Sequence, residues 1–512
     1  MGMTAIRRVC QRMLLGVVVV LIVAMGLGVF FVGLPKASNA GPDYLYHGPA
    51  VRVNGITLKD AEFQKHYANV ARQAAQYAMY GESPTVEQMR EDALQNAIRE
   101  LVIRAEIKKN KISVPNADVN RYFNRLAKQY FPTKEERQQF YERNEYRGDR
   151  DFKTAIKEYL EQIYLYRELA KNKKIDITVT QAEIRDAYAT RTLSHILLGT
   201  QAEAGGMTDA EAKKKADEVY AKIKAGGDWD KLAKEYSTDT SNKDKGGSLG
   251  EIKVNDLKTS YDKAFTEAAL KLKKGEYSEP VKSQFGYHLI KLVDSRDASG
   301  PEFKNESRAT EAELVAQKFF ADENKYKDWV QARTADAEVI ILDPALRAYQ
   351  LKIKGEWAEA AKFYEKAVKM RQHRWDRDVF LSALEVFEHE KQLDKAITYG
   401  RRALGRLSDD MDLNAAVGKA LYTRNKDKDR KDGLALLAKA KSLAGDDMQA
   451  LGKIARVYQD LKLTKESQAI EKKIQDLLKA QAEEEARQQK EYEEELAKQQ
   501  KEAAAAEAAE KK

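Results

Sequence analysis

At 512 residues the chain is too long for one ordinary hydrophobic core, so three or four folded units are expected. Its formal charge of +8 comes from 89 basic and 81 acidic residues mixed along the chain; this is the pattern of a solvated helical surface, and without ribonucleoprotein or zinc-finger motifs it argues against nucleic acid as a partner. A single cysteine, Cys10, rules out a disulfide within the chain and disfavours zinc, iron–sulfur and thiol chemistry, so neither a metal nor a cofactor is expected.

Residues 1–12 carry Arg7, Arg8 and Arg12 ahead of an uncharged run at 13–34. At about 1.5 Å per residue a helix of that length spans the roughly 30 Å hydrocarbon layer. We therefore expect a single-pass transmembrane helix at 13–34, with 1–12 cytoplasmic and the bulk of the chain extracytoplasmic. A signal peptide cleaved near Ser38-Asn39-Ala40 is the alternative, and either exports the chain. Residues 35–48, rich in Gly, Pro, Ala and Asn, read as a linker. The segment 49–188 opens with alternation and an Asn54-Gly55 turn, which predicts a short strand feeding a helix near Lys59. Ala93, Ala97 and Leu101 then step along one helical face with Ile98 and Val102 beside it. Val114-Pro115 breaks the run, and Val119, Tyr122, Phe123 and Leu126 resume it.

The segment 189–297 holds the chemistry. Leu193-Ser194-His195-Ile196-Leu197 and Phe285-Gly286-Tyr287-His288-Leu289-Ile290 each place a histidine inside an apolar, strand-like run. A histidine costs free energy to bury unless its ring nitrogens find partners, so two such runs suggest a shared polar network in a small apolar site. Between them lie Tyr236-Ser237-Thr238-Asp239 and Gly246-Gly247-Ser248-Leu249-Gly250. This set, in this order, resembles the parvulin family of peptidyl-prolyl isomerases over roughly 190–294. The resemblance implies an α+β domain with a four-stranded antiparallel sheet and flanking helices. Segment 49–188 in turn resembles the helical chaperone domain of the SurA, PrsA and PpiD foldases, in pattern and order.

Beyond the isomerase-like segment, 312–332 has helical spacing in Leu314, Val315, Phe319, Tyr326 and Trp329, and 337–344 reads as a strand stopped by Pro344. In the SurA-type group such a helix and strand return to the N-terminal domain, so 298–344 is expected to complete it. Across 345–478, the pairs Ala360/Ala367, Ala396/Ala403, Gly433/Ala440 and Ser467/Ile474 recur at intervals of 36, 37 and 34 residues. Small residues there let paired helices approach closely, and 355–364 resembles a tetratricopeptide repeat, implying an α-solenoid that recruits an unidentified protein partner. The tail 479–512, built of Ala, Glu, Gln and Lys, is expected to be helical and solvated. The fold class is thus multidomain and mainly α, with a transmembrane helix, a SurA-like helical domain, a parvulin domain and a solenoid.

Carried over by resemblance, the catalytic set is His195, Asp239, Ser283 and His288. Phe265 and Phe285 line the proline cup, and Tyr261 or Leu257 stands where the family commonly has a methionine, in a segment about four residues longer than the usual pattern. No basic residue lies in 199–207, so phosphate-directed substrates are disfavoured. The remaining histidines, His47, His66, His373 and His389, and Trp357 and Trp375 read as structural or surface residues. The implied activity is cis/trans isomerisation of X-Pro bonds in unfolded or nascent exported proteins, with holdase chaperone activity. The alternative is a non-catalytic periplasmic chaperone or assembly scaffold that uses the parvulin and repeat domains to bind peptides.

Overall fold

The computed structural model describes residues 48–78, 84–144, 146–200, 206–374 and 376–510. Seven strands occur among them: β1 (Val51–Val53), β2 (Ile56–Thr57), β3 (Thr190–Gly199), β4 (Ser248–Lys253), β5 (Val281–Ser283), β6 (Gly286–Arg296) and β7 (Val339–Ile341). Almost everything else regular is helix. The chain divides into two compact units, one holding 102–337 and the other taking its described residues from 48–101 and 338–510.

In the first unit the helix Asp149–Lys171 is the centrepiece of an aromatic core. Ile156, Leu160 and Ile163 recur at helical spacing on it, with Tyr159 and Tyr166 beside them, and all five are almost fully buried. The helix Gly300–Ala321 lies on that core through Ala312, Val315, Ala316 and Phe319, and Trp329 closes it from Glu323–Ala335. Each large side chain buried this fully contributes about 1.5–3 kcal/mol. Capping boxes start the neighbouring helices: Thr133 with Glu136 opens Lys134–Arg143, and Thr180 with Glu183 opens Gln181–Tyr188.

Inserted between Gln181–Tyr188 and Gly300–Ala321 is a four-stranded antiparallel sheet in the order β4-β3-β6-β5. Helices cover both faces of its central pair. Ile196, Leu198, Tyr287 and Leu289 pack against Ala212, Ala216 and Val219 of Asp209–Lys224 and Trp229 of Trp229–Tyr236. On the opposite face Leu193, Ile290 and Leu292 pack against Leu257 of Val254–Ser260 and Phe265 and Ala269 of Lys263–Lys271. Burial on both faces explains why the histidine runs read as continuous apolar stretches rather than as alternation.

In the second unit β1 pairs antiparallel with β2 across an Asn54-Gly55 turn, both residues at positive φ (47° and 77°), which suits a tight hairpin turn. On its other edge β1 pairs with β7, Val51 facing Ile341 and Val53 facing Val339. Successive helices follow from Pro344–Ile353 to Thr464–Glu510, packed through small residues such as Ala360, Ala367, Ala396 and Ala403. The helices Met411–Arg424 and Asp429–Ala444 come so close that a Cβ on Gly433 would lie 2.7 Å from the Gly418 carbonyl oxygen. The N-terminal part of Val86–Lys109 is tied into this unit by Arg90, which donates to both carboxylate oxygens of buried Asp376 at 2.9 and 3.0 Å. His373, fully buried, lies 3.0 Å by Nε2 from Asp343 and 3.5 Å by Nδ1 from Asp376.

The expected fold class needs one correction. It is mainly helical and multidomain and contains the four-stranded antiparallel sheet, but the expected transmembrane helix is not found among the described residues, where no helix is long and apolar enough to cross a membrane. The longest, Thr464–Glu510, is dense in Glu, Lys and Gln, which hydrocarbon would not accept. Residues 13–34 lie outside the described residues, as do His47 and Trp375.

Candidate active site

β3 and β6 run side by side with His195 opposite Ile290 and Leu197 opposite His288. The two histidines are therefore diagonal neighbours on one face of the sheet, the face that also carries Leu193, Ile290 and Leu292. Their rings stack at 5.4 Å between centroids and 20° between planes, and both are buried. The Nδ1 atoms are 3.2 Å apart, His195 Nε2 lies 3.0 Å from Asp239 Oδ2, and His288 Nε2 lies 2.7 Å from Ser283 Oγ. Phe265 meets His288 edge-on at 5.3 Å and His195 at 6.3 Å.

One assignment of protons satisfies the whole chain of contacts. Phe285 N–H donates to Ser283 Oγ at 3.1 Å, so the serine hydroxyl is free to donate to His288 Nε2. His288 then carries its proton on Nδ1 and donates to His195 Nδ1, and His195 donates from Nε2 to the Asp239 carboxylate. Both imidazoles are neutral in this arrangement. Burial, and then the neighbouring His195, push His288 down to about 3. Burial alone would raise the Asp239 carboxyl, but hydrogen bonds from His195 and Ser241 hold it well below the usual carboxylate range.

Two glycines make this geometry possible. Gly247 has φ +69°, accepts a hydrogen bond from His195 N–H at 2.9 Å, and leaves no room for a side chain: a Cβ there would lie 1.9 Å from the His195 carbonyl oxygen. Gly286 has φ +130°, and its Cβ would lie 2.1 Å from the Leu198 carbonyl oxygen.

His195, Asp239, Ser283, His288 and Phe265 are thus brought together. Leu257 is fully buried behind the site in the apolar cluster with Phe265. Tyr261 is 36% exposed and stacks on Phe265 at 5.6 Å, so the two candidates for the missing methionine occupy different layers. Phe285 stands at the rim, 37% exposed. A surface depression lined by Asp262, Lys263, Ala264, Glu267, Lys282 and Ser283 reaches the same edge. Ser241 and Asn242 were not anticipated. Ser241 donates to Asp239 Oδ1 through both its backbone N–H (3.1 Å) and its hydroxyl (2.6 Å), and Asn242 Nδ2 donates to Asp239 Oδ2 at 2.9 Å. The signal was the run Asp239-Thr240-Ser241-Asn242, a turn sequence whose polar side chains can fold back on an aspartate.

Residues 195–294 match the family model of the PPIC-type PPIASE domain, and residues 3–162 match that of the SurA-like N-terminal domain. Among curated proteins the chain is 28% identical over 282 residues to the foldase protein PrsA of Caldanaerobacter subterraneus subsp. tengcongensis, covering 52% of this chain and 81% of that protein. It is 40% identical over 144 residues to foldase protein PrsA 1 of Bacillus cereus, covering 28% and 45%. It is 34% identical over 196 residues to PrsA of Bacillus subtilis, covering 37% and 60%. A crystal structure of PrsA from Bacillus anthracis aligns at 26% identity over 48% of this chain and 96% of that one, with a TM-score of 0.21. The chain carries a PpiC-type, parvulin peptidyl-prolyl cis-trans isomerase domain behind a SurA-like N-terminal domain.

Proposed function

We propose that the chain is an extracytoplasmic foldase that isomerises X-Pro bonds in unfolded exported proteins, with His195, Asp239, Ser283 and His288 as its polar network and Phe265 at the floor of its proline cup. Export is supported by the uncharged run at 13–34 behind three arginines, and the folding role by likeness to proteins named foldases. On this reading 49–188 and 298–344 form one chaperone domain interrupted by 189–297. The helices of 345–478 form a tetratricopeptide-like array for a protein partner.

The chemistry asks little of the enzyme. Rotation about a prolyl amide meets a barrier of about 18–20 kcal/mol from C–N double-bond character, while the two isomers differ by only about 0.5–1 kcal/mol. A catalyst lowers the barrier by binding the twisted amide more tightly than the planar one, with proline in an apolar cup and water excluded from its carbonyl. The observation that carries the reading is the unbroken hydrogen-bond chain from Ser283 through both imidazoles to Asp239, packed edge-on against Phe265. It presents a preorganised hydroxyl beside an aromatic floor.

One observation favours a second reading, a domain that only binds peptides. Phe265 is 3% exposed with Tyr261 stacked on it, so a proline ring reaches it only when Tyr261 moves. A protease-coupled proline-peptide assay on wild type, His288→Ala and Asp239→Ala separates the two. The isomerase reading requires both variants to lose about tenfold or more. Equal rates in all three would leave the binding role.

A further inference from the structure

Asn242 precedes the 3₁₀ turn Lys243–Lys245, yet its side chain makes no capping hydrogen bond. It turns inward instead, 7% exposed, with Nδ2 2.9 Å from Asp239 Oδ2 and 3.2 Å from His195 Nε2. His195 Nε2 itself lies 3.0 Å from the same carboxylate oxygen. An ionised carboxylate oxygen between two nitrogens takes a hydrogen from each, so the Asn242–His195 contact is between two N–H groups converging on one acceptor. The reversed amide would set an oxygen against that carboxylate oxygen. Asp239 Oδ1 is occupied in the same way by both donors of Ser241. Each carboxylate oxygen therefore accepts at least two hydrogen bonds, which leaves the group neither room to rotate nor reason to take a proton from His195. The backbone of Asn242 works toward the same end. Its carbonyl accepts from Lys245 N–H (2.8 Å) and Gly247 N–H (3.0 Å), and it is the Gly247 carbonyl that holds His195 N–H.

We propose that Asn242 is a positioning residue: by completing the hydrogen bonding of Asp239 it locks His195 in the Nε2–H tautomer and so sets the direction of the whole chain out to the Ser283 hydroxyl. If His195 carried its proton on Nδ1, that proton would meet the Nδ1–H of His288. His288 would have to move its proton to Nε2, and Ser283 would turn its hydroxyl hydrogen away. The state of one buried amide thus decides whether Ser283 donates or accepts at the edge of the cup. This assignment rests on the isomerase reading only for its consequence in rate; the tautomer itself is a property of the folded chain.

The test uses the full chain labelled with ¹⁵N in histidine alone, which leaves six residues to assign. Long-range ¹⁵N–¹H spectra of wild type should show His195 protonated at Nε2 and His288 at Nδ1. Asn242→Leu, close in shape but without a donor, should give His195 a mixture of tautomers and slow X-Pro isomerisation about tenfold. Asn242→Asp, closest in shape, should protonate one member of the new carboxyl pair and shift the His195 resonances further. Asn242→Ser, which keeps a donor, should recover part of both the wild-type spectrum and the rate. Unchanged tautomers in both Asn242→Leu and Asn242→Asp would overturn the proposal. A wild-type chain with no isomerase activity but with the expected spectra would sink the isomerase reading and leave the positioning role standing.

Discussion

His288 and His373 are both buried and titrate in opposite directions because of what their nitrogens meet. His288 has a serine and another imidazole, so burial dominates and it is pushed down to about 3; His373 has Asp343 and Asp376, which overcome burial and raise it to about 9. An unfolded histidine titrates near 6.5, so the two windows differ. Between about 6.5 and 3 the unfolded chain binds a proton that folded His288 refuses, and stability falls as pH drops. Hydrogen exchange of the amides of Ile290 and Leu292, corrected for intrinsic rates, should lose protection across that window, and His288→Gln should remove much of the slope. For His373 the contribution is complete below about 6.5 and is lost as pH rises through about 9. His373→Asn should therefore weaken exchange protection of Val379–Phe387 strongly near pH 6 and little near pH 10, both about one unit or less from the window's edges. The histidines of the site were legible in the sequence because a polar ring inside an apolar run is conspicuous. Asn242 was not, because an asparagine in a turn has the same local pattern whether it faces solvent or a buried carboxylate. Nor did composition reveal which of Leu257 and Tyr261 lies behind Phe265 and which lies over it.

Strands and helices add constraints that no single side chain shows. Gly247→Ala would press a methyl group into the His195 carbonyl at a positive φ, and Gly286→Ala would do the same at Leu198. Each should destabilise the β3–β6 pair by about 2 kcal/mol or more, seen as lost exchange protection in 193–198, whereas Gly250→Ala, also at positive φ but with nothing near its Cβ, should cost less. The helix Val86–Lys109 offers a second case. Arg90→Ala would leave Asp376 buried without its guanidinium partner and should destabilise the helices around it by about 3–5 kcal/mol, measured by denaturant titration of a reporter in Arg377–His389. Helix positions were legible from periodicity, and Ala93, Ala97, Leu101, Val119 and Phe123 are buried as their spacing requires. The Arg90–Asp376 pair was not, since 286 residues separate its members and nothing local in either segment points to the other.

At the scale of the whole chain, sequence order and spatial order diverge. β1 finds its partner β7 only after the chain has passed through the helices from Asp60–Ala78 to Glu323–Ala335. Thr190 and Arg296 are paired residues at the root of the β3–β6 ladder, Arg296 donates to the Tyr188 carbonyl at 2.9 Å, and Tyr188 meets Phe303 edge-on at 5.0 Å. Excising 191–295 and joining the stubs by a short turn should therefore leave the aromatic core around Tyr159, Tyr166 and Phe319 folded. Near-ultraviolet circular dichroism of those tyrosines would check this, with collapse of the signal as the contrary result. Residues spaced at 36, 37 and 34 were visible in the sequence, and the return of 298–344 to the N-terminal segment was expected there from resemblance alone, but the pairing of Thr190 with Arg296 has no compositional mark and shows only in the β3–β6 register.

That meeting of ends matters for ancestry as well as for folding. A cassette whose first and last residues sit side by side can be gained, lost or exchanged by recombination without stretching the scaffold that carries it. Relatives with the same helical scaffold and a different cassette, or none, are what such a seam would permit.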